Sequence, residues 1–151
     1  MTPLEQNKGI VQRIFKEFWL DGRTSVLDQL LASDITNHEL SKDAVTGRAA
    51  YKEWATGFRQ VTTTGFPDRE IVVDALVAEG DLVAKRWTFR GTHTGEYVGL
   101  PPSGKRIVMT GMTIYRIAGS QVRETWWNYD ALGMMQQLGA IPAPAEQVGA
   151  R

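Results

Sequence analysis

Apolar side chains recur along the first third of the chain at the three- and four-residue steps of a helix, then switch near position 70 to the two-residue step of a strand. Thr2-Pro3-Leu4-Glu5 reads as a helix start, with Thr as N-cap, Pro at the first helical position and Glu three residues after the cap. Val11, Ile14, Phe15 and Phe18 follow on one face, with Arg13, Lys16 and Glu17 between them, and Asp21-Gly22 ends the run. A second short helix, 25–31, turns Val26, Leu27, Leu30 and Leu31 inward. The polar segment 34–40 reads as a connector into a loop that ends at Gly47. A third helix over 48–61 carries Tyr51, Trp54, Ala55, Phe58 and Val61 on one side, before Gly65-Phe66-Pro67-Asp68 breaks it.

From Arg69 onward the pattern is that of strands. Residues 70–78 hold the β-branched run Ile71-Val72-Val73, and Glu79-Gly80-Asp81 reads as a turn. Along 82–92 the series Val83, Lys85, Trp87, Phe89 alternates with Ala84, Arg86, Thr88, Arg90, as in a half-buried strand. Pro101-Pro102 place a loop within 95–105, because consecutive prolines cannot donate to a strand ladder. Two further strands, 106–117 and 121–130, are joined by Ala118-Gly119-Ser120, and a short helix over 131–138 is ended by Gly139. The segment 142–151 reads as a flexible tail. Three helices followed by a meander predict one α+β domain over residues 1–141, its helices packed on one face of a curved antiparallel sheet.

Composition narrows the function. At 151 residues, 42% hydrophobic and 23% charged, the chain suits a single globular domain with a sizeable core. Its 17 basic residues stand against 17 acidic ones, so no net field draws nucleic acid or an anionic membrane, and neither is expected as a partner. The absence of Cys excludes disulfides, thiolate catalysis and zinc–thiolate sites. The N-terminus lacks a basic segment followed by an apolar run, and no apolar run nears the roughly 20 residues of a membrane helix, so a cytoplasmic protein is expected. Two His without Cys argue against a metal, and neither a GxSxG elbow nor a Gly-rich phosphate loop is present. No cofactor is expected.

Candidate chemistry gathers near the C-terminus, where Glu124-Thr125-Trp126-Trp127-Asn128-Tyr129-Asp130 packs two Trp, a Tyr and two carboxylates together. Alternation puts Thr125, Trp127 and Tyr129 on one face of that strand and Glu124, Trp126, Asn128 and Asp130 on the other. Asp130 is placed to cap the following helix, a strongly preferred role for Asp, with acid/base catalysis as the alternative. His93, between two glycines, suits either a turn-fixing hydrogen bond or a base near neutral pH. Asn37-His38 are candidates for a polar pair at the open end of a pocket, or for stabilising a turn. Trp54, Phe58, Trp87, Phe89, Met112 and Tyr115 read as core, some of them lining whatever cavity exists.

Gly91-Thr92-His93-Thr94-Gly95, Gly99-Leu100-Pro101-Pro102-Ser103-Gly104-Lys105-Arg106, Tyr115-Arg116-Ile117, Trp126-x-Asn128-x-Asp130 and Gln136-Gln137-Leu138-Gly139 jointly resemble the SnoaL-like polyketide cyclase (ester cyclase) family, within the nuclear transport factor 2-like superfamily. The resemblance runs from the first helix to Gly139. It implies a conical α+β barrel with a hydrophobic pocket between the sheet and the helices, and a homodimer packed through the sheets. It also implies intramolecular aldol closure of an aromatic polyketide ester without metal or cofactor. Such chemistry needs a group to take a proton from a carbon flanked by carbonyls and a group to protonate the accepting carbonyl. Aligned on the family, its acid/base Asp falls at Trp127, an assisting His at Thr113 and a Gln at Gly111, with Asn37 alone retained. If the Thr125 face is the concave one, Thr113, Tyr115, Thr125, Trp127 and Tyr129 line or plug the pocket and Trp126 lies outside. Replacing Trp127 by Asp is then expected to weaken the fold only mildly.

Three functions fit this reading. One is an enzyme acting by cofactor-free acid/base chemistry on a small hydrophobic carbonyl or polyketide-like compound, through Asn37, His38, His93 or Asp130. Another is a binding protein that keeps the cone and has lost catalysis. The third is an isomerase or epoxide hydrolase relative, for which Arg86 and Arg90 are available but no pair of pocket carboxylates is visible.

Overall fold

Thr2 and Glu5 open the first helix reciprocally: the Thr2 hydroxyl accepts from Glu5 N at 3.2 Å, and Glu5 Oε2 accepts from Thr2 N at 2.7 Å. In the computed structural model, which describes residues 1–39 and 43–144, α1 (Pro3–Arg13) runs directly into a π-helical segment, Ile14–Leu20. Ile14, Phe18 and Trp19 of that segment are buried, and the chain leaves it through Gly22 at φ 75°. A short α2 (Ser25–Leu30) follows.

The segment expected to be a connector is instead a strand. Its described part belongs to β1 (Leu31–Glu39), which pairs antiparallel with β2 (Val45–Thr46) and parallel with the last strand. After α3 (Arg48–Gly65), which runs past its expected end at 61, come β3 (Glu70–Glu79), β4 (Leu82–Thr92), β5 (Arg106–Ala118), β6 (Gln121–Tyr129) and α4 (Ala131–Gln137). The sheet order is β2-β1-β6-β5-β4-β3. The α+β class therefore holds, with the helices over the concave face of a curved sheet that β1 makes mixed rather than wholly antiparallel. A bulge between Val73 and Ala75 interrupts β3. No helix among the described residues is long and apolar enough to cross a membrane. Residues 40–42 of the expected loop and 145–151 of the expected tail lie outside the described residues.

The glycine- and proline-rich motifs are clasps. His93 Nδ1 accepts from Ser103 N at 3.2 Å and lies 2.9 Å from Ser103 Oγ, while its backbone bonds Lys105 O and Gly104 N at 2.8 Å. The imidazole thus ties the end of β4 to the Pro101-Pro102 loop. Gly95 lets the end of α3 dock here, since an added Cβ would lie 1.9 Å from Thr64 O. At the other end Gln137 bonds both Val108 N and Val108 O at 2.8 Å, fastening α4 to β5. Met112, expected in the core, projects from the opposite face of β5 and is 45% exposed.

Asp130 caps α4, its Oδ1 accepting from Gly133 N at 2.9 Å. Asp130→Ala is expected to lower stability by about 1 kcal/mol, read from the urea midpoint, with Asp130→Asn recovering most of the loss.

Candidate functional site

Strand register arranges the concave face in rows. Lys85 faces Thr113 across β4 and β5, Thr113 faces Trp127 across β5 and β6, and Trp127 is matched to Glu39 across β6 and β1. On one side of this row run Val83, Tyr115, Thr125 and Asn37; on the other, Trp87, Gly111 and Tyr129. Trp127 projects into the cone, 5% exposed, with the rings of Trp19 and Trp54 each 5.4 Å from it, centroid to centroid.

Trp87, Gly111, Thr113 and Trp127 are bound into one aromatic assembly. Trp87 lies over Gly111, where an added Cβ would sit 2.3 Å from the indole Cζ2, so any side chain there collides with the ring. Its Nε1 donates to Thr113 Oγ1 at 3.2 Å. Trp127, Gly111 and Thr113 are therefore coupled: the indoles of Trp87 and Trp127 fill the space around the two small residues.

What remains between the rings is a cavity of about 30 Å³, lined chiefly by aromatic side chains and sized for about one water. Alongside it, between α1 and β3, lies an open groove of about 630 Å³. Phe15 and Lys85 line both. Lys85 is 2% exposed, and its Nζ stands over the rings of Phe15, Tyr115 and Trp127 at 5.0, 5.4 and 5.7 Å. Among the described residues it has no hydrogen-bonding or ion-pair partner; the neighbouring Asp74 instead accepts from Arg86 at 3.0 Å and Thr88 at 2.6 Å. Burial penalises the ammonium and brings its pKa from 10.5 down to about 7, although the ring faces return part of that penalty. Arg69, also lowered by burial, lines the cavity and donates to Trp19 O at 2.9 Å.

At the far end of the same row sits a buried carboxylate. Glu39 accepts from Trp54 Nε1 at 2.9 Å and from the Tyr129 hydroxyl at 2.5 Å. Burial, followed by the Glu39 hydrogen bond and charge, raises the Tyr129 phenol above its usual range. Next to them Asn37 Oδ1 accepts from Thr125 Oγ1 at 2.7 Å, while Asn37 Nδ2 and the Tyr51 hydroxyl are buried without partners among the described residues.

The three candidate catalytic residues are not brought to this cavity. His38 alternates to the outer face, where it stacks on Trp126 (5.4 Å, 8° between planes) and lies 2.7 Å from Glu124 Oε2. Asn37 and His38 consequently face opposite sides and form no pair. The His38 hydrogen bond, aided by Arg116, holds the Glu124 carboxyl below its usual range. His93 is buried in its clasp, and Asp130 is an exposed cap. Of the proposed lining residues, Phe58, Trp87, Phe89 and Trp127 reach the cavity; Trp54 and Tyr129 hold Glu39; Thr113, Tyr115 and Thr125 are buried in the adjoining rows. Sequence reasoning passed over Lys85 and Glu39. The signal for Lys85 was a single charge in the inward series Val83, Lys85, Trp87, Phe89. Among the described residues no cluster of three His, Asp or Glu could hold a metal.

This packing corrects the expected tolerance of position 127. Trp127→Ala should cost about 3–5 kcal/mol in chemical denaturation, and Trp127→Asp no less, because it adds a buried charge to the lost ring. Lys85 carries a pH signature. Between about pH 7 and 10.5 the unfolded chain holds a proton that the folded one lacks, so stability rises with pH across that window. Lys85→Met should abolish this slope and stabilise the protein below pH 7 by a few kcal/mol, checked by denaturation across pH.

Comparison with known proteins fits the geometry. The family model for SnoaL-like polyketide cyclase matches residues 9–138. Among solved structures, a candidate SnoaL-like polyketide cyclase from Jannaschia sp. CCS1 is 32% identical with a TM-score of 0.78, over 94% of this chain and 98% of that one. A candidate polyketide cyclase from Acidithiobacillus ferrooxidans is 30% identical with a TM-score of 0.76, over 93% and 99%. IdmH from Streptomyces antibioticus, another candidate polyketide cyclase, is 30% identical with a TM-score of 0.74, over 89% and 99%. No protein of curated function matches. On the match across 9–138 and the shared fold, the chain belongs to the SnoaL-like polyketide cyclase family.

Proposed function

We propose that the protein binds a small hydrophobic carbonyl compound of polyketide type inside the cone, with Lys85 meeting the carbonyl oxygen, and that it does not run the carboxylate-driven aldol closure. The observation that carries this reading is the placement of Lys85, a buried amine without an acidic partner among the described residues, at the junction of an aromatic cavity and an open groove. Aromatic walls favour a flat apolar ligand, and a lone buried donor selects for an acceptor oxygen, because leaving such a group unpaired is costly. Trp127 in the acid/base position argues against the cyclase reaction, since an indole neither takes nor gives a proton near neutral pH. The cavity of about 30 Å³ cannot hold such a ligand with the rings as they stand. Phe15, which borders both spaces, is the side chain whose rotation joins them.

Titration with 2-acetonaphthone, followed by tryptophan fluorescence, should give saturable quenching. Lys85→Met should weaken that binding by about tenfold, the worth of one hydrogen bond to a buried amine. 2-Ethylnaphthalene, which lacks the carbonyl, should bind both proteins alike. Equal affinities of the ketone for the two proteins would remove Lys85 from the reading, and absence of quenching would remove the pocket.

A further inference from the structure

We infer that Lys85 is a covalent site: its Nζ condenses with the carbonyl carbon of an aromatic aldehyde or ketone to form an imine in the cone. The inference rests on the carbonyl-binding reading above and deepens it. Three features of the geometry carry it. Lys85 sits on a strand interior, so its position is fixed by the ladder on both sides, opposite Leu76 and Thr113. It is 2% exposed yet borders open space through both the cavity and the groove. And among the described residues the charged groups around it leave it without a salt bridge that would hold it protonated. On β3, Asp74 is engaged by Arg86 and Thr88; on the π-helical segment, Lys16 borders the groove; beside the cavity, Arg69 donates to Trp19 O. β5 and β6 present only Thr113, Tyr115 and Trp127 to it.

A lysine so placed has a substantial fraction of free amine near neutral pH, the form that attacks carbonyls. The step is a condensation without redox change. The Nζ lone pair forms a bond to the carbonyl carbon, the carbon–oxygen bond breaks, and the oxygen leaves as water with the two hydrogens of the amine. Dry aromatic walls oppose the reverse hydrolysis. Once protonated, the imine withdraws electrons from the adjacent carbon as a protonated carbonyl would. A cone of this family can in this way activate a carbonyl compound without the acid/base Asp that Trp127 has displaced.

The test uses the intact protein with 2-naphthaldehyde and sodium cyanoborohydride, which reduces imines to stable amines, followed by intact mass and peptide mapping. One naphthylmethyl group on Lys85 is expected at near-stoichiometric probe, in at least tenfold excess over the half-buried Lys8 and the exposed Lys105, with trapping rising as pH passes about 7. Lys85→Arg, which keeps the charge and removes the nucleophile, should lose this adduct, and its circular dichroism will show whether it folds. Label spread over other lysines with Lys85 unmodified would overturn the inference. Quenching by 2-acetonaphthone without trapping at Lys85 would overturn the imine alone and leave the binding reading intact.

Discussion

At the middle of the cone one indole has to fit, and the surrounding positions give way to it. An interior packed to crystal density can take a ring the size of Trp127 only if its neighbours are small or are themselves flat. Across β5 stands Thr113, short enough to lie beneath the ring row, and the next position is Gly111, over which Trp87 lies. From above, the π-helical segment brings in Trp19, and α3 brings in Trp54. Gly111, Thr113 and Trp127 thus make up one volume arrangement, the small residues making room for the rings. The charged residues of the same row lie at its ends, Lys85 on one side and Glu39 on the other.

Family membership and the interior rest on different residues here. The motifs that carry the resemblance are mechanical. His93 holds the proline loop, Gln137 fastens α4 to β5, and Gly95 admits the end of α3. None of these three lines the cavity, so they fasten the frame independently of the residues inside it. Function must be argued from the interior, because a shared fold does not by itself fix a reaction.

The sequence told most about elements whose side chains divide cleanly between two faces. β4 alternates its inward Val83, Lys85, Trp87 and Phe89 with an outward series, and in β6 alternation groups Thr125, Trp127 and Tyr129 on one face. That this face is the concave one followed from the family resemblance, and Trp127 is indeed buried there. β1 was illegible because its inward residues Asn37 and Glu39 are as polar as the outward Asp34, Thr36 and His38, leaving Ile35 as the main periodic cue. Its partner is also remote: a parallel pairing with β6 joins residues almost ninety positions apart, which no local pattern encodes. Reading β1 as a connector placed His38 beside Asn37 in one pocket, whereas a strand sends them to opposite faces. Lys85 was in plain view within an inward series, but a lone lysine among hydrophobic residues usually escapes to solvent by its long stem. Only the helix lying over it, with Phe15 and Trp19, closes that escape.

The π-helical segment has a consequence for descent. Such a segment carries one residue more than an α-helix of the same path requires. Losing one codon between Ile14 and Leu20 would restore ordinary winding and rotate α1 by about 100° relative to the downstream chain. A different side chain would then stand in place of Phe15 between groove and cavity, with all six strands unmoved. A comparable deletion in β4 or β6 would swap every later side chain to the other face. The helical wall is therefore where a single-residue change in length reshapes the groove and cavity with the strand pairing kept.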